Sequence, residues 1–142
     1  MTESDMTESD RAESDRAETG TAGGFAGRLG AEVVSADDGS ARLRFEASNE
    51  HLNPAGTLHG GVLATLVDTA MGQAVRSATG DGDVPATSQL TVTYLRPGRT
   101  GPLEVTARVR VRGEHLTVCE AEVEQEGRSL AHAVATFALL HG

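Results

Sequence analysis

The sequence has no tryptophan, no lysine and a single cysteine. One cysteine, Cys119, excludes an intrachain disulfide and a thiolate metal cluster. With one Tyr and three Phe in 142 residues, the core has to be assembled from Val, Leu and Ala, and platforms for stacking nucleic-acid bases are lacking. All the fixed positive charge is arginine. Twelve Arg against 21 Asp plus Glu give a formal charge of −9 and a pI of about 4.9. That balance argues against nucleic acid or an anionic membrane surface as the main partner, because both repel an acidic chain. No stretch approaches the roughly 18 consecutive apolar residues of a membrane span, and the acidic N-terminus lacks the basic and apolar regions of a signal peptide. A soluble, cytoplasmic protein is the expectation. The length suits one domain and is too short for two separate cores.

What is present divides unevenly. Residues 1–20 form a five-residue near-repeat with seven acids, two arginines and almost no apolar side chains. Such a stretch has too little apolar surface to offset the entropy of ordering, so it reads as a disordered, solvating tail before a domain at 21–142. Within that domain, Gly23–Gly30 suits a short helix ending at a glycine. The runs 31–37 and 40–48 look like strands separated by the turn signal Asp38-Gly39. From His59 to Ala78, apolar residues recur at 62, 63, 66, 67, 70, 71, 74, 75 and 78, the spacing of a helix about 30 Å long. After the Gly80-Asp81-Gly82-Asp83 break, 84–95, 103–111, 116–123 and 129–140 alternate as strands of an antiparallel meander. In two of them the faces are explicit. Leu103, Val105, Ala107, Val109 and Val111 share one side and Arg108, Arg110 and Arg112 the other; Thr117, Cys119, Ala121 and Val123 alternate with Glu120, Glu122 and Glu124. A hairpin through Gly113 then sets an arginine row beside a glutamate row, surface pairs of small individual worth. The fold class is α+β, one long helix on a five- to six-stranded antiparallel sheet. The helix's apolar arc is wider than one sheet contact needs, which leaves room for another subunit.

Two features carry chemistry. The segment Asn53-Pro54-Ala55-Gly56-Thr57-Leu58-His59-Gly60-Gly61 runs straight into the long helix. Paired glycines are poor helix formers, so the first turn has them for a reason: either ligand oxygens approach the unpaired N–H groups at the positive end of the helix, or the helix packs tightly on the sheet. The sequence leaves both open. The first alternative suits a carbonyl that becomes an oxyanion. Asp68 stands at the edge of the polar stripe Thr65, Thr69, Gly72 and Arg76, where it is either a solvated stripe residue or a partly buried base. Gly60 and Asp68 are eight residues apart, about 12 Å along one helix, so they cannot serve the same atom within one chain. Acting together, they would come from antiparallel helices of a symmetric dimer. His51, His59, His115, His132 and His141 show no HxH or HExxH spacing, and no GxGxxG or GxSxG is present. Cys119, inward on its strand, reads as core.

Asn53, His59-Gly60-Gly61 and Asp68, in the pattern N-x5-H-G-G-x6-D, together with Val92-Thr93-Tyr94-Leu95-Arg96-Pro97, resemble the hotdog-fold acyl-CoA thioesterases of the phenylacetate-degradation (PaaI-like) type. The resemblance spans roughly residues 24–140. It implies hydrolysis of an acyl-CoA thioester to the acid and free coenzyme A, with no cofactor or metal because coenzyme A belongs to the substrate. It also implies a shared site in a homodimer, commonly assembled as a dimer of dimers, a homotetramer. The glycine matching Gly60 donates its N–H to the thioester oxygen. The acid matching Asp68, from the neighbouring subunit, activates water or attacks. Asn53 helps position the water or the thioester, His59 supports the loop, and the water-orienting hydroxyl falls on Thr87, or on Ser88 with a one-residue shift. Gly61, Ser88, Arg96 and Arg112 are the candidates for further substrate contacts, the arginines, with Arg99, for the coenzyme A phosphates. The alternatives are a hotdog hydratase or dehydratase, which usually carries a different His and acid pattern, and a non-catalytic acyl-CoA sensor, which would be expected to lack the acid.

Overall fold

The computed structural model describes residues 19–79 and 83–141, so most of the acidic stretch read as a tail lies outside the described residues. The order is β1 (Gly20–Thr21), α1 (Gly24–Leu29), β2 (Glu32–Asp37), β3 (Ser40–Ala47), a single 3-10 turn (Asn49–His51), α2 (Gly60–Ala78), β4 (Asp83–Tyr94), β5 (Gly101–Arg112), β6 (Leu116–Gln125) and β7 (Arg128–His141). α1 stops where the sequence places its stop: Gly30 takes φ 110, a conformation open to glycine, and its N–H caps the Ala26 and Gly27 carbonyls. Both two-residue hairpin turns, Asp38-Gly39 (φ 49 and 86) and Glu126-Gly127 (φ 52 and 75), use left-handed backbone, which matches the twist of the strands they join.

The strands form one antiparallel sheet in the order β1-β2-β3-β5-β6-β7-β4. It has seven strands rather than five or six, the addition being the two-residue β1. The expectation of a simple meander after the helix holds for β5, β6 and β7 and fails for β4. β5 takes the place beside β3, with Leu43 opposite Val105, so β4 joins the far edge against β7, from Asp83 opposite His141 to Tyr94 opposite Ala131. α2 crosses one face and touches every strand from β2 to β7. This is the hotdog arrangement.

Alternation divides the sheet as the sequence indicates. In β3, Ala41, Leu43, Phe45 and Ala47 are buried between exposed Ser40, Arg42, Arg44 and Glu46. Leu66, Val67, Met71 and Val75 of α2 meet them and Phe137 in a core that excludes water. Each large side chain so buried contributes about 1.5 to 3 kcal/mol. Cys119 is fully buried there, and burial pushes its thiol up to about 12, so it stays protonated and inert. On the opposite face the arginine and glutamate rows meet. Arg108 Nε donates to Glu120 at 2.8 Å, Arg110 lies 3.5 Å away, and the Arg108 hydrogen bond holds Glu120 below the ordinary carboxylate range. Two side chains depart from their expected faces, Val111 and Arg112, the latter paired with buried Thr117 and turned to the helix side instead of joining the arginine row. A bulge between Val109 and Val111 inserts an extra residue, reversing the alternation, so Val111 pairs with Val118 and is exposed.

Candidate active site

The loop before α2 is closed by its own side chains. Asn53 Oδ1 accepts from the Ala55 and Thr57 N–H groups at 3.0 and 3.1 Å, and Asn53 Nδ2 donates to Thr57 Oγ1 at 2.9 Å. Its backbone N–H donates to the Thr57 carbonyl. The loop returns through the Leu52–Leu58 bridge, and His59 N–H donates to the His51 carbonyl. The His51 ring is buried, accepts from Ser48 N–H at 2.9 Å and packs at 4.7 Å from Phe45, so the whole turn rests on the core. An asparagine suits Asn53 because its amide both donates and accepts.

This loop delivers His59 as the N-cap of α2, with its Nδ1 accepting from Gly61 N–H at 2.9 Å. Val62 N–H donates to the His59 carbonyl at 2.9 Å, and Leu63 N–H reaches the same oxygen at 3.5 Å. Of the first four donors of the helix, only the Gly60 N–H has no acceptor among the described residues. It lies at the positive end of a 19-residue helix. Side chains rather than backbone crowd the glycine pair: the Tyr94 ring of β4 against Gly60, a close helix–sheet contact, and the His59 ring against Gly61. A Cβ on Gly60 would sit 3.2 Å from Tyr94 Cζ and Oη, and one on Gly61 would sit 3.1 Å from His59 Nδ1.

Asp68, two turns further along α2, is partly exposed and accepts a hydrogen bond from Thr87 Oγ1 at 2.7 Å. A bulge in β4 between Thr87 and Gln89 settles which hydroxyl faces it. Thr87 opposes the inward Phe137 and turns to Asp68, whereas Ser88 Oγ pairs with Thr136 at 2.6 Å on the other face of the sheet. Two grooves meet at the carboxylate. One, of about 430 Å³, has walls of Phe25, Ala26, Ala64 and Leu90; the other, of about 260 Å³, runs between Gly72, Gln73, Arg76, Pro85 and Phe137. Leu90 therefore lines the site, while Met71 and Val75 belong to the core.

Asp68 and Thr87 are brought together, as are His59, Gly60 and Gly61. The two groups remain separated by eight residues of one helix, about 12 Å. Arg96 lines a groove of about 290 Å³ beside Gly60 and donates through Nη1 to the Ser129 carbonyl at 2.8 Å. Arg112 caps the opposite end of α2, donating to the Ala78 carbonyl at 2.8 Å, far from Gly60. Arg99 is tied through its backbone to Gln125. Among the described residues no three His, Cys, Asp or Glu side chains converge as a metal ion requires. Phe25 and Tyr94, the latter quoted above only as part of the 92–97 segment, join the site in the structure. Tyr94 carries a usable signal, the chain's only tyrosine on the same side of β4 as Leu90 and Val92. Phe25 depends on where α1 docks.

The thioesterase superfamily profile matches residues 55–132, more than half of the chain. The acyl-coenzyme A thioesterase PaaI of Escherichia coli is 35% identical over 105 residues, 72% of this chain and 73% of that protein. Its solved structure superposes with a TM-score of 0.77 at 32% identity, covering 82% of this chain and 84% of the other. A Halobacterium salinarum protein with an esterase name is 43% identical over 100 residues, 67% of this chain and 66% of its own length. A hypothetical thioesterase protein of Streptococcus pneumoniae, solved with coenzyme A, superposes with a TM-score of 0.72 at 28% identity over 78% of this chain and 86% of that one.

Proposed function

Because the chain belongs to the thioesterase superfamily, we propose that it hydrolyses acyl-coenzyme A, converting R–CO–S–CoA and water to the carboxylic acid and the free thiol. The observation that carries this reading is the Gly60 N–H, the one donor of the first turn of α2 without an acceptor among the described residues. A thioester oxygen placed on it gains negative charge as the tetrahedral intermediate forms, and one such donor contributes about 3 to 4 kcal/mol to that step. The name of the PaaI relative and the coenzyme A in the pneumococcal structure support the substrate class.

Asp68 supplies the second half of the chemistry. Its carboxylate takes the proton of an attacking water or attacks the carbonyl carbon itself, and Thr87 fixes which carboxylate oxygen remains free to do so. Collapse of the tetrahedral intermediate then expels the coenzyme A thiolate, which takes up the proton released from water; where Asp68 itself attacks, the resulting mixed anhydride is cleaved by water to return the carboxylate and the acid. His59 and Asn53 act through the backbone, by capping the helix and closing the loop. Arg96, beside Gly60, is placed to meet a coenzyme A phosphate; Arg112 is engaged at the other end of α2. No bound cofactor takes part in this scheme.

One chain supplies half a site. β4 is a twelve-residue edge strand whose ladder, among the described residues, pairs with β7 alone, and an open edge of this length is a template for a second copy. In β4, Thr87 marks Asp68 and Tyr94 marks Gly60, through hydrogen bonds of 2.7 and 2.8 Å. Antiparallel pairing of two β4 edges about a twofold axis at Thr91 keeps like faces opposed and sets each Tyr94 opposite the second copy's Thr87-Ser88 bulge. Asp68 of one chain then faces Gly60 of the other.

Free-thiol release from phenylacetyl-, benzoyl-, short-chain and medium-chain acyl-CoA, with wild type and Asp68→Ala compared, tests the assignment. The expected result is wild-type turnover on at least one thioester and a loss of about 10²- to 10⁴-fold in the variant, with circular dichroism unchanged. Equal turnover of the two proteins would overturn the role of Asp68. Binding of acyl-CoA without turnover would make the chain a sensor.

A further inference from the structure

We infer that Tyr94 is a positioning residue for the Gly60 N–H, an inference that rests on the hydrolytic reading above. Tyr94 closes β4, and its hydroxyl donates to the Gly60 carbonyl at 2.8 Å. Its ring covers the place where a Gly60 side chain would stand. Tyr94 is 52% exposed in the single chain, so it does not fill that chain's core.

The consequence follows from the peptide planes on either side of Gly60. The plane joining Gly60 to Gly61 is held at both ends, its carbonyl by Tyr94 Oη and its N–H by His59 Nδ1 at 2.9 Å. The plane joining His59 to Gly60 is held at its carbonyl by Val62 N–H at 2.9 Å, which leaves its N–H, the donor for the thioester oxygen, pointing away from the helix. Two successive glycines have the widest torsional freedom of any dipeptide, so beyond the bond from Val62 this donor's direction gains from a further restraint. Tyr94 and His59 supply that restraint from opposite sides, and only Tyr94 comes from the sheet. The direction of the donor is thereby fixed to β4, the strand that also carries Thr87. A hydrogen bond donor aimed before reaction needs no reorganisation as the oxyanion forms, so fixing it acts on turnover rather than on ground-state binding.

Tyr94→Phe keeps the ring over Gly60 and removes only the hydroxyl. On whichever acyl-CoA the wild type turns over, the variant is expected to show kcat lower by about threefold to tenfold with KM within about twofold, the size of one neutral hydrogen bond felt in the transition state. In the substrate-free protein, exchange of the Gly61 amide, followed by NMR, is expected to quicken at least about threefold as its plane loosens. Lower kcat at unchanged KM together with faster Gly61 exchange carries the inference. Wild-type kcat and wild-type exchange overturn it, as does a raised KM at unchanged kcat, which would make Tyr94 an ordinary substrate contact. Either failure leaves Asp68-dependent turnover of the wild type intact. Absence of that turnover instead overturns the hydrolytic reading, and the role of Tyr94 with it.

Discussion

Asp68 is one carboxylate on a largely apolar helix, and what separates it from a solvated stripe residue is its neighbour. The Thr87 hydroxyl, 2.7 Å away, occupies one of its oxygens and leaves the other to face the two grooves. Thr87→Val keeps the shape and removes the donor. Turnover is expected to fall roughly tenfold or more, the usual worth of a hydrogen bond to a charged group, while Thr87→Ser keeps most of it. Steady-state kinetics on the two variants checks this, and equal losses in both would point to packing instead. The carboxylate was legible in the sequence from its place among apolar neighbours. The choice between Thr87 and Ser88 was not, because the β4 bulge that turns Thr87 inward arises from pairing with β7 some fifty residues further along the chain.

Among the elements, α1 has six residues and makes one wall of the larger groove through Phe25 and Ala26. Its seat depends on Gly27, where an added Cβ would lie 1.9 Å from the Ala22 carbonyl oxygen, a backbone atom that cannot swing aside. Gly27→Ala is therefore expected to lower Tm by roughly 5 to 10 °C, measured by thermal unfolding, in line with overpacking against a fixed backbone. An unchanged Tm would show that α1 docks elsewhere. α2 shows the opposite balance between local and distant causes. Its length, buried stripe and start at a His-Gly-Gly turn are all readable from spacing, because helix periodicity and N-cap chemistry act over four or five residues.

For the whole molecule, the proposed use of Gly60 and Asp68 on one carbonyl calls for two chains, because about 12 Å separates them along one helix, and the open β4 edge offers a way to join them. Mixing Asp68→Ala subunits with Gly60→Pro subunits, each inactive alone, should restore about a quarter of wild-type turnover, since random pairing gives half mixed dimers with one intact site in each. Gly60→Pro suits this test once circular dichroism shows the fold intact, because its Cβ has to displace the exposed Tyr94 side chain, 3.2 Å away. Proline is favoured at the first helical position, and His59 already has the extended backbone that precedes it, at φ −61 and ψ 131. Mixed samples that stay inactive after subunit exchange, verified by mass spectrometry, would rule out a shared site.

The sequence by itself determined the main elements, though not β1 or the 3-10 turn, the two faces of most strands, the core composition and the segment that holds the candidate site. These follow from periodicity, turn residues and capping, all forces that act between near neighbours. The tertiary structure alone decided that β4 crosses to the free edge, that Val111 turns outward at a bulge, that Ser88 faces away from Asp68, and that the chain's only tyrosine lies over Gly60. Each depends on which distant strand becomes a neighbour. That choice is made by the closing of one sheet around α2, a property of all the strands together that no single segment carries.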